Sequence, residues 1–258
     1  MAATTRKVSR LSAGALALLL VCAGSSFAQT PGKNVITIRG QPQAVYYYPA
    51  AGLKSGRKVL FAPGDGGWRG WAVTVAQQMA AWGYDVYGLD TKTYLSGLTG
   101  CPRLRESDVM SDFREIARWM TQGSGGRIIL VGWSAGAGLG VLAAAGDPGR
   151  RSFAGLVTFG LGDENALGWS WRDSLTYLTK AKPNEPTFRA MEYIGRVPAL
   201  LMIQSSRDEY LSPDEAKNLY AAARGQKRLA VIEAADHKFG GNVAGFYQTL
   251  RDGLQELL

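Results

Sequence analysis

Residues 129–138 read ILVGWSAGAG, and the fold turns on how they are interpreted. Ile129 to Val131 is an unbroken apolar run, as expected of a strand buried on both faces. Ala135 to Ala145 consists of small and aliphatic residues without a charge, which predicts a helix packed on all sides. Between them stands Gly132-Trp133-Ser134-Ala135-Gly136. A turn from strand directly into helix forces its central residue into a strained backbone. Flanking glycines relieve the clashes because they carry no Cβ. Ser134 would then project from the sheet at a helix N-terminus, where the dipole favours developing negative charge. The plainer alternative is a small-residue contact between helix and sheet, and the rest of the chain has to decide.

Working outward, strands are predicted at 35–39 and 44–48, a hairpin around Gly40-Gln41-Pro42, then at 58–62, 84–89, 127–131, 153–159, 198–204 and 229–233. Helices are predicted at 71–82, 108–120, 135–145 and 244–257. The second carries Met110, Phe113, Ile116, Ala117 and Met120 along one face. From residue 58 strand and helix alternate. That predicts an α/β domain, a mostly parallel central sheet with helices on both faces, and the leading hairpin as its antiparallel edge. Residues 161–196 break the rhythm and read as a cap-like insertion above the sheet. Trp169 and Trp171 in it would line a lipid-facing surface or pack the insertion itself, together with Tyr177.

A serine hydroxyl attacks a carbonyl only when a base accepts its proton. The chain has one histidine, His237, in EAADHKFGGN (233–242) just past the last predicted strand. A histidine in that role needs a carboxylate to fix its tautomer. Asp208, past the strand at 198–204, is the first choice, with Glu209 and Asp214 as alternatives. Ser134, Asp208 and His237 each follow the C-terminal end of a predicted parallel strand, the edge at which open α/β sheets bind ligands. Their order along the chain, Ser then Asp then His, is that of α/β-hydrolases. The oxyanion formed on attack needs backbone N–H donors. Ala135 is one candidate. The loop PGDGGW (63–68) offers the other, from Asp65 first and Gly66 next. The Asp65 side chain would brace its own turn. Trp133, Trp68 and Trp169 are expected to contact the substrate.

Length and composition bound the rest. With 258 residues the chain suits one large domain, 29–258, behind a leader. Residues 1–28 read as a secretory signal peptide. Arg6, Lys7 and Arg10 precede an apolar stretch, and Ser26-Phe27-Ala28 supplies a cleavage site. Without those three basic residues, 26 basic residues face 21 acidic ones and the formal charge falls from +8 to +5. The positive residues are scattered, so nucleic acid is not an expected partner. Cys22 lies in the leader and Cys101 stands alone, so with one histidine there is no zinc-type cluster. The chemistry inferred for Ser134 needs neither a metal nor an organic cofactor.

The stretch from residue 58 to 258 resembles the α/β-hydrolase superfamily throughout. More narrowly, GDGGWRGW (64–71), GWSAGAG (132–138) and DHKFGGN (236–242) resemble the VirJ/AcvB virulence-protein group. The resemblance implies a periplasmic protein that hydrolyses an aminoacyl ester on a phospholipid, as in lysyl-phosphatidylglycerol, at the membrane surface. It implies Ser134, Asp208 and His237 as the triad. Asp163 or Glu164 in the insertion would receive the cationic head of such a substrate. Two other readings stand beside this one: an esterase for soluble esters or lactones, and a non-catalytic periplasmic adaptor of a secretion apparatus.

Overall fold

The structure is a computed structural model that describes residue 1 and residues 29–52, 54–97, 104–123, 127–147, 149–169 and 186–256. The expected leader beyond Met1, both cysteines, Trp171 and Tyr177 lie outside the described residues. The chain runs β1 (Gly32–Ile38), β2 (Gln41–Tyr48), β3 (Lys58–Ala62), α1 (Trp71–Ala81), β4 (Asp85–Leu89), α2 (Thr91–Gly97) and α3 (Glu106–Thr121). It continues through β5 (Ile128–Trp133), α4 (Ala135–Ala145), β6 (Phe153–Phe159), β7 (Glu164–Ala166), β8 (Thr187–Arg189) and α5 (Met191–Ile194). It closes with β9 (Ala199–Ser205), α6 (Pro213–Ala222), β10 (Gln226–Ile232) and α7 (Val243–Glu256).

Eight strands form one sheet in the order β1-β2-β4-β3-β5-β6-β9-β10. From β4 to β10 neighbouring strands are parallel, while β2 runs antiparallel to both β1 and β4. The hairpin is therefore the antiparallel edge that the sequence predicts. Its turn is Arg39-Gly40, both with positive φ (50° and 77°), and not the expected Gly40–Pro42. Two residues with positive φ match the right-handed twist of the flanking strands. Pro42 then lies in β2 opposite Thr37, outside the part of β2 that pairs with β4.

Burial follows strand position. In β6 and β9 every residue is buried, whereas the edge strands β1 and β10 alternate with exposed positions. Alternate residues feed opposite faces. Leu60, Leu130, Leu156 and Met202 pack under α3 and α4, while Phe61, Val131, Phe159 and Ile203 pack under α1 and α7. Helix α4 is buried almost throughout, which is why its sequence is apolar on all sides. In α3 the core position near the start belongs to Val109, with Met110 only partly buried. Helices α2, α5 and α6 and the β7–β8 ladder are additions to the predicted elements. Two of them have a start signal: Asp90 accepts the Thr93 N–H at the start of α2, and in α6 Ser212 accepts the Glu215 N–H at 3.1 Å and Pro213 opens the helix.

Among the buried polar groups of the described residues is a carboxyl on α3. Asp112 of α3 is 2% exposed and accepts the Tyr94 hydroxyl at 2.8 Å. Burial pushes its carboxyl up to about 6, against the opposing pull of the Tyr94 hydrogen bond and of Arg39. Its folded value lies above its unfolded one. The stability it contributes is therefore complete below about pH 4 and is lost as pH rises through about 6. Asp112→Asn keeps an acceptor for Tyr94 and removes the ionisation. It is expected to stabilise the fold by about 2 kcal/mol at pH 7.5 and by almost nothing at pH 4. Urea melts at the two pH values check this, and an equal shift at both would exclude the explanation.

Candidate active site

Strand β5 ends at Trp133 and α4 begins at Ala135, so Ser134 alone makes the turn, with φ 53° and ψ −121°. Helix α1 opens on the same conformation, and there the residue is Gly70 with φ 51° and ψ −120°. Where only geometry matters the chain uses glycine. At 134 it holds a serine in a conformation that costs about 1–3 kcal/mol for a residue with a Cβ. The surroundings hold it there. Ser134 N–H donates to Phe159 O at 3.0 Å, and Ser134 O accepts from Ala137 N–H at 2.8 Å. A Cβ on Gly136 would lie 2.0 Å from Ala62 O, and one on Gly132 would lie 2.5 Å from Ala137 Cα. The two flanking glycines thus let α4 close onto the ends of β3 and β5.

His237 lies in the loop between β10 and α7. Its Nδ1 is 2.7 Å from Asp208 Oδ2, and the two side chains are 7% and 1% exposed. Asp208 is held in turn by Gln204 Nε2, which donates to Oδ2 at 3.1 Å, and by Tyr210 N–H, which donates to Oδ1 at 3.0 Å. The alternatives to Asp208 have other partners. Glu209 accepts the backbone N–H of His237 at 2.8 Å, and Asp214 pairs with Lys217 at the start of α6. The loop is braced by Asp236, whose Oδ1 accepts from Lys238 and Gly240 N–H; the Gly240 bond is the main cause of its lowered carboxyl pKa. Nε2 of His237 is buried and carries no hydrogen bond, Ser134 Oγ included. Such bonds are often long in free enzymes and tighten only when substrate is present.

The imidazole is enclosed by rings and by bare backbone. Trp133 lies 5.7 Å away and tilted, and Tyr210 meets it edge-on at 5.2 Å. Gly160, with φ +63°, faces it so closely that a Cβ would come within 2.2 Å of Cε1. Neither Gln204 nor Gly160 is among the site residues read from the sequence. A glycine just past a buried strand is a weak signal, and Gln204 reads simply as the end of β9. Gly160→Ala is expected to displace the imidazole and lower kcat about 100-fold or more, since a misplacement of about 1 Å has that effect. Retained far-ultraviolet circular dichroism would show that the fold persists. Unchanged turnover would mean that the ring does not occupy this position during catalysis.

The loop after β3 lies beside the elbow, with a Cβ on Gly64 only 3.3 Å from Ser134 Cβ. Gly67 N–H donates to Gly64 O at 3.1 Å, so Asp65 and Gly66 are the central residues of a turn. Ala135 is the first residue of α4, and its N–H has no acceptor within the helix. The three expected oxyanion donors are thus brought to the same strand ends.

The tryptophans divide. Trp133 borders the imidazole and meets Trp71 edge-on at 4.7 Å. Trp68 has a different place from the expected one. Its ring stacks on Tyr46 at 5.3 Å, its Nε1 donates to Tyr48 Oη, and it covers Gly88 so tightly that a Cβ there would overlap it. It anchors the loop to β2 and β4. Trp169 is half-buried, packs on the core and lies under the Lys92 ammonium at 4.2 Å. Asp163 is already engaged: it accepts from the Arg189 guanidinium and from Met191 N–H. Glu164 is exposed on β7.

An elbow serine between strand and helix, an Asp–His pair past the last two strands and this strand order are the arrangement of the α/β-hydrolase fold. Residues 57–148 match the family described as bacterial virulence protein (VirJ). That segment contains the β3 loop and the elbow and ends before Asp208 and His237. Among solved structures, the esterase domain of a Rhodothermus marinus protein superposes with a TM-score of 0.61 at 16% identity, over 89% of this chain and 98% of its own. Est1E from Butyrivibrio proteoclasticus gives 0.63 at 13% identity, over 88% and 98%. The monoacylglycerol lipase of Paleococcus ferrophilus gives 0.61 at 13%, over 84% and 100%. At these identities the likeness is one of fold. No curated protein matches the chain in sequence.

Proposed function

We propose that the protein is a serine hydrolase of carboxylic esters. The observation that carries this reading is the 2.7 Å contact between His237 Nδ1 and Asp208 Oδ2. With the proton on Nδ1 donated to the carboxylate, Nε2 is left as the basic nitrogen, buried and without a partner. In the reaction Ser134 Oγ forms a bond to the ester carbonyl carbon while its proton passes to Nε2. The N–H groups of Ala135 and of Asp65, or Gly66 in its place, receive the oxyanion. The intermediate then collapses, the carbon–alkoxy bond breaks, and Nε2 returns the proton to the leaving alcohol. Water repeats the sequence on the acyl-enzyme and releases the acid. The esterase and lipase neighbours support ester substrates.

The finer reading is an exported enzyme acting on an aminoacylated phospholipid. The match of the β3 loop and elbow to the VirJ family and the leader-like composition of residues 1–28 favour it. Labelling with a fluorophosphonate, followed by mass spectrometry, is expected to place the adduct on Ser134 and on no other residue. Vesicles containing lysyl-phosphatidylglycerol should then release lysine. Labelling without lysine release would redirect the substrate to soluble esters or lactones. Absence of both would favour the adaptor reading.

A further inference from the structure

Gly66 and Gly67, in the turn proposed to hold the oxyanion, each lie beside a cationic side chain, and Gly67 also lies beside the Asp90 carboxylate. A Cβ on Gly67 would lie 2.9 Å from Asp90 Oδ1 and would touch Lys92 at 2.9 Å from its Cβ and 3.5 Å from its Cδ, so the lysine stem and the Asp90 carboxylate both border this backbone. A Cβ on Gly66 would lie 3.9 Å from an Arg69 guanidinium nitrogen. Lys92 continues past the turn until its ammonium rests over the Trp169 ring. Trp169 belongs to the segment after β6, so this contact joins α2 to that segment. A π-face orients an ammonium without neutralising it. Neither Lys92 nor Arg69 has an ion pair with a described carboxylate. Asp90 caps α2 by accepting Thr93 N–H at 3.1 Å, and Asp65 has an interaction of its own.

We propose that Lys92 and Arg69 are specificity-determining residues that select esters bearing an anionic group, carboxylate or phosphate, close to the scissile carbonyl. The inference rests on the hydrolase reading and deepens it. It shifts the charge recognised at this edge from the cation expected at Asp163, which is bound to Arg189, to an anion. Two cations beside the turn also draw anionic substrates toward Ser134 from a distance, an effect that salt screens.

The test uses two matched pairs: p-nitrophenyl hemisuccinate against p-nitrophenyl pentanoate, and dihexanoyl phosphatidylglycerol against dihexanoylglycerol. The wild-type protein is expected to prefer the anionic member of at least one pair in kcat/KM. Lys92→Gln and Arg69→Gln should each reduce that preference roughly threefold to fivefold through KM, as partly exposed charge pairs do. Lys92→Arg, which keeps charge and ring contact, should retain it. Which pair responds tells carboxylate from phosphate. A preference unchanged in both Gln variants, or no preference in the wild type, overturns the proposal. A separate arm is independent of turnover. Titration calorimetry of dihexanoyl phosphatidylglycerol and hemisuccinate into Ser134→Ala, with and without Lys92→Gln, should show weaker binding in the double variant for at least one ligand. Equal affinity for both overturns the anion site. Absent turnover with intact charge-dependent binding would remove the hydrolase reading and leave the site standing.

Discussion

Ser134→Ala is expected to lower kcat on a short-chain ester by about 10⁵-fold, because removing the nucleophile of such a unit costs about as much as removing the whole unit. KM should change little, since the hydroxyl contributes to the transition state rather than to ground-state binding. The residual rate would come from the N–H donors of Ala135 and the β3 turn. A second substitution separates chemistry from backbone. Ser134 and Gly70 share one backbone conformation, but only Ser134 carries a Cβ in it. Ser134→Gly should therefore be as inactive as the alanine variant yet about 1 kcal/mol more stable, the strain relieved less the added chain entropy of glycine. Loss of stability in Ser134→Gly would show that the hydroxyl supports the fold. Substantial turnover by Ser134→Ala would exclude Ser134 as the nucleophile.

Asp208→Asn is expected to reduce kcat by about 10⁴-fold with the fold intact. Three donors converge on this carboxylate: His237 Nδ1–H and Gln204 Nε2 on Oδ2, and Tyr210 N–H on Oδ1. An asparagine offers one oxygen in place of two. If its amide nitrogen takes the Oδ2 position, it faces Gln204 donor to donor and favours the tautomer with the proton on Nε2. That tautomer cannot accept the serine proton. If the nitrogen takes the Oδ1 position, it opposes Tyr210 N–H. Glu209 cannot substitute, because its carboxylate holds the backbone of His237. Glu209→Gln should consequently cost far less than Asp208→Asn. Steady-state kinetics of both variants decide the matter. Equal losses would mean that the acid has been assigned to the wrong neighbour.

The chain displayed some parts of this arrangement openly and hid others. Strands buried on both faces were legible because an all-apolar run admits few alternatives, so β3 and β6 fall on the predicted residues, as does helix α4. The elbow was legible because glycine, serine and glycine stand between a strand and a helix. Helices α2 and α5 were not, since seven and four residues are too few for a period to show. The S-P-D-E start of α6 was visible but was read as a candidate acid instead of a cap. The sequence offers Trp68 as a substrate contact. Only the fold shows its ring over Gly88, a position that depends on β4 lying beside β3.

By itself the sequence determined the strand–helix alternation, the glycine-flanked turn at Ser134 and the presence of one histidine with acids nearby in the written order. Tertiary structure alone decided that Asp208 rather than Glu209 meets His237, that Asp163 is bound to Arg189, and that Gly160 makes room for the imidazole. The physical reason is one of range. Strand and helix patterns record local burial, which each residue's own chemistry reports. A contact of 2.7 Å between residues twenty-nine positions apart depends on how β9 and β10 align, and no short stretch of the chain contains that alignment.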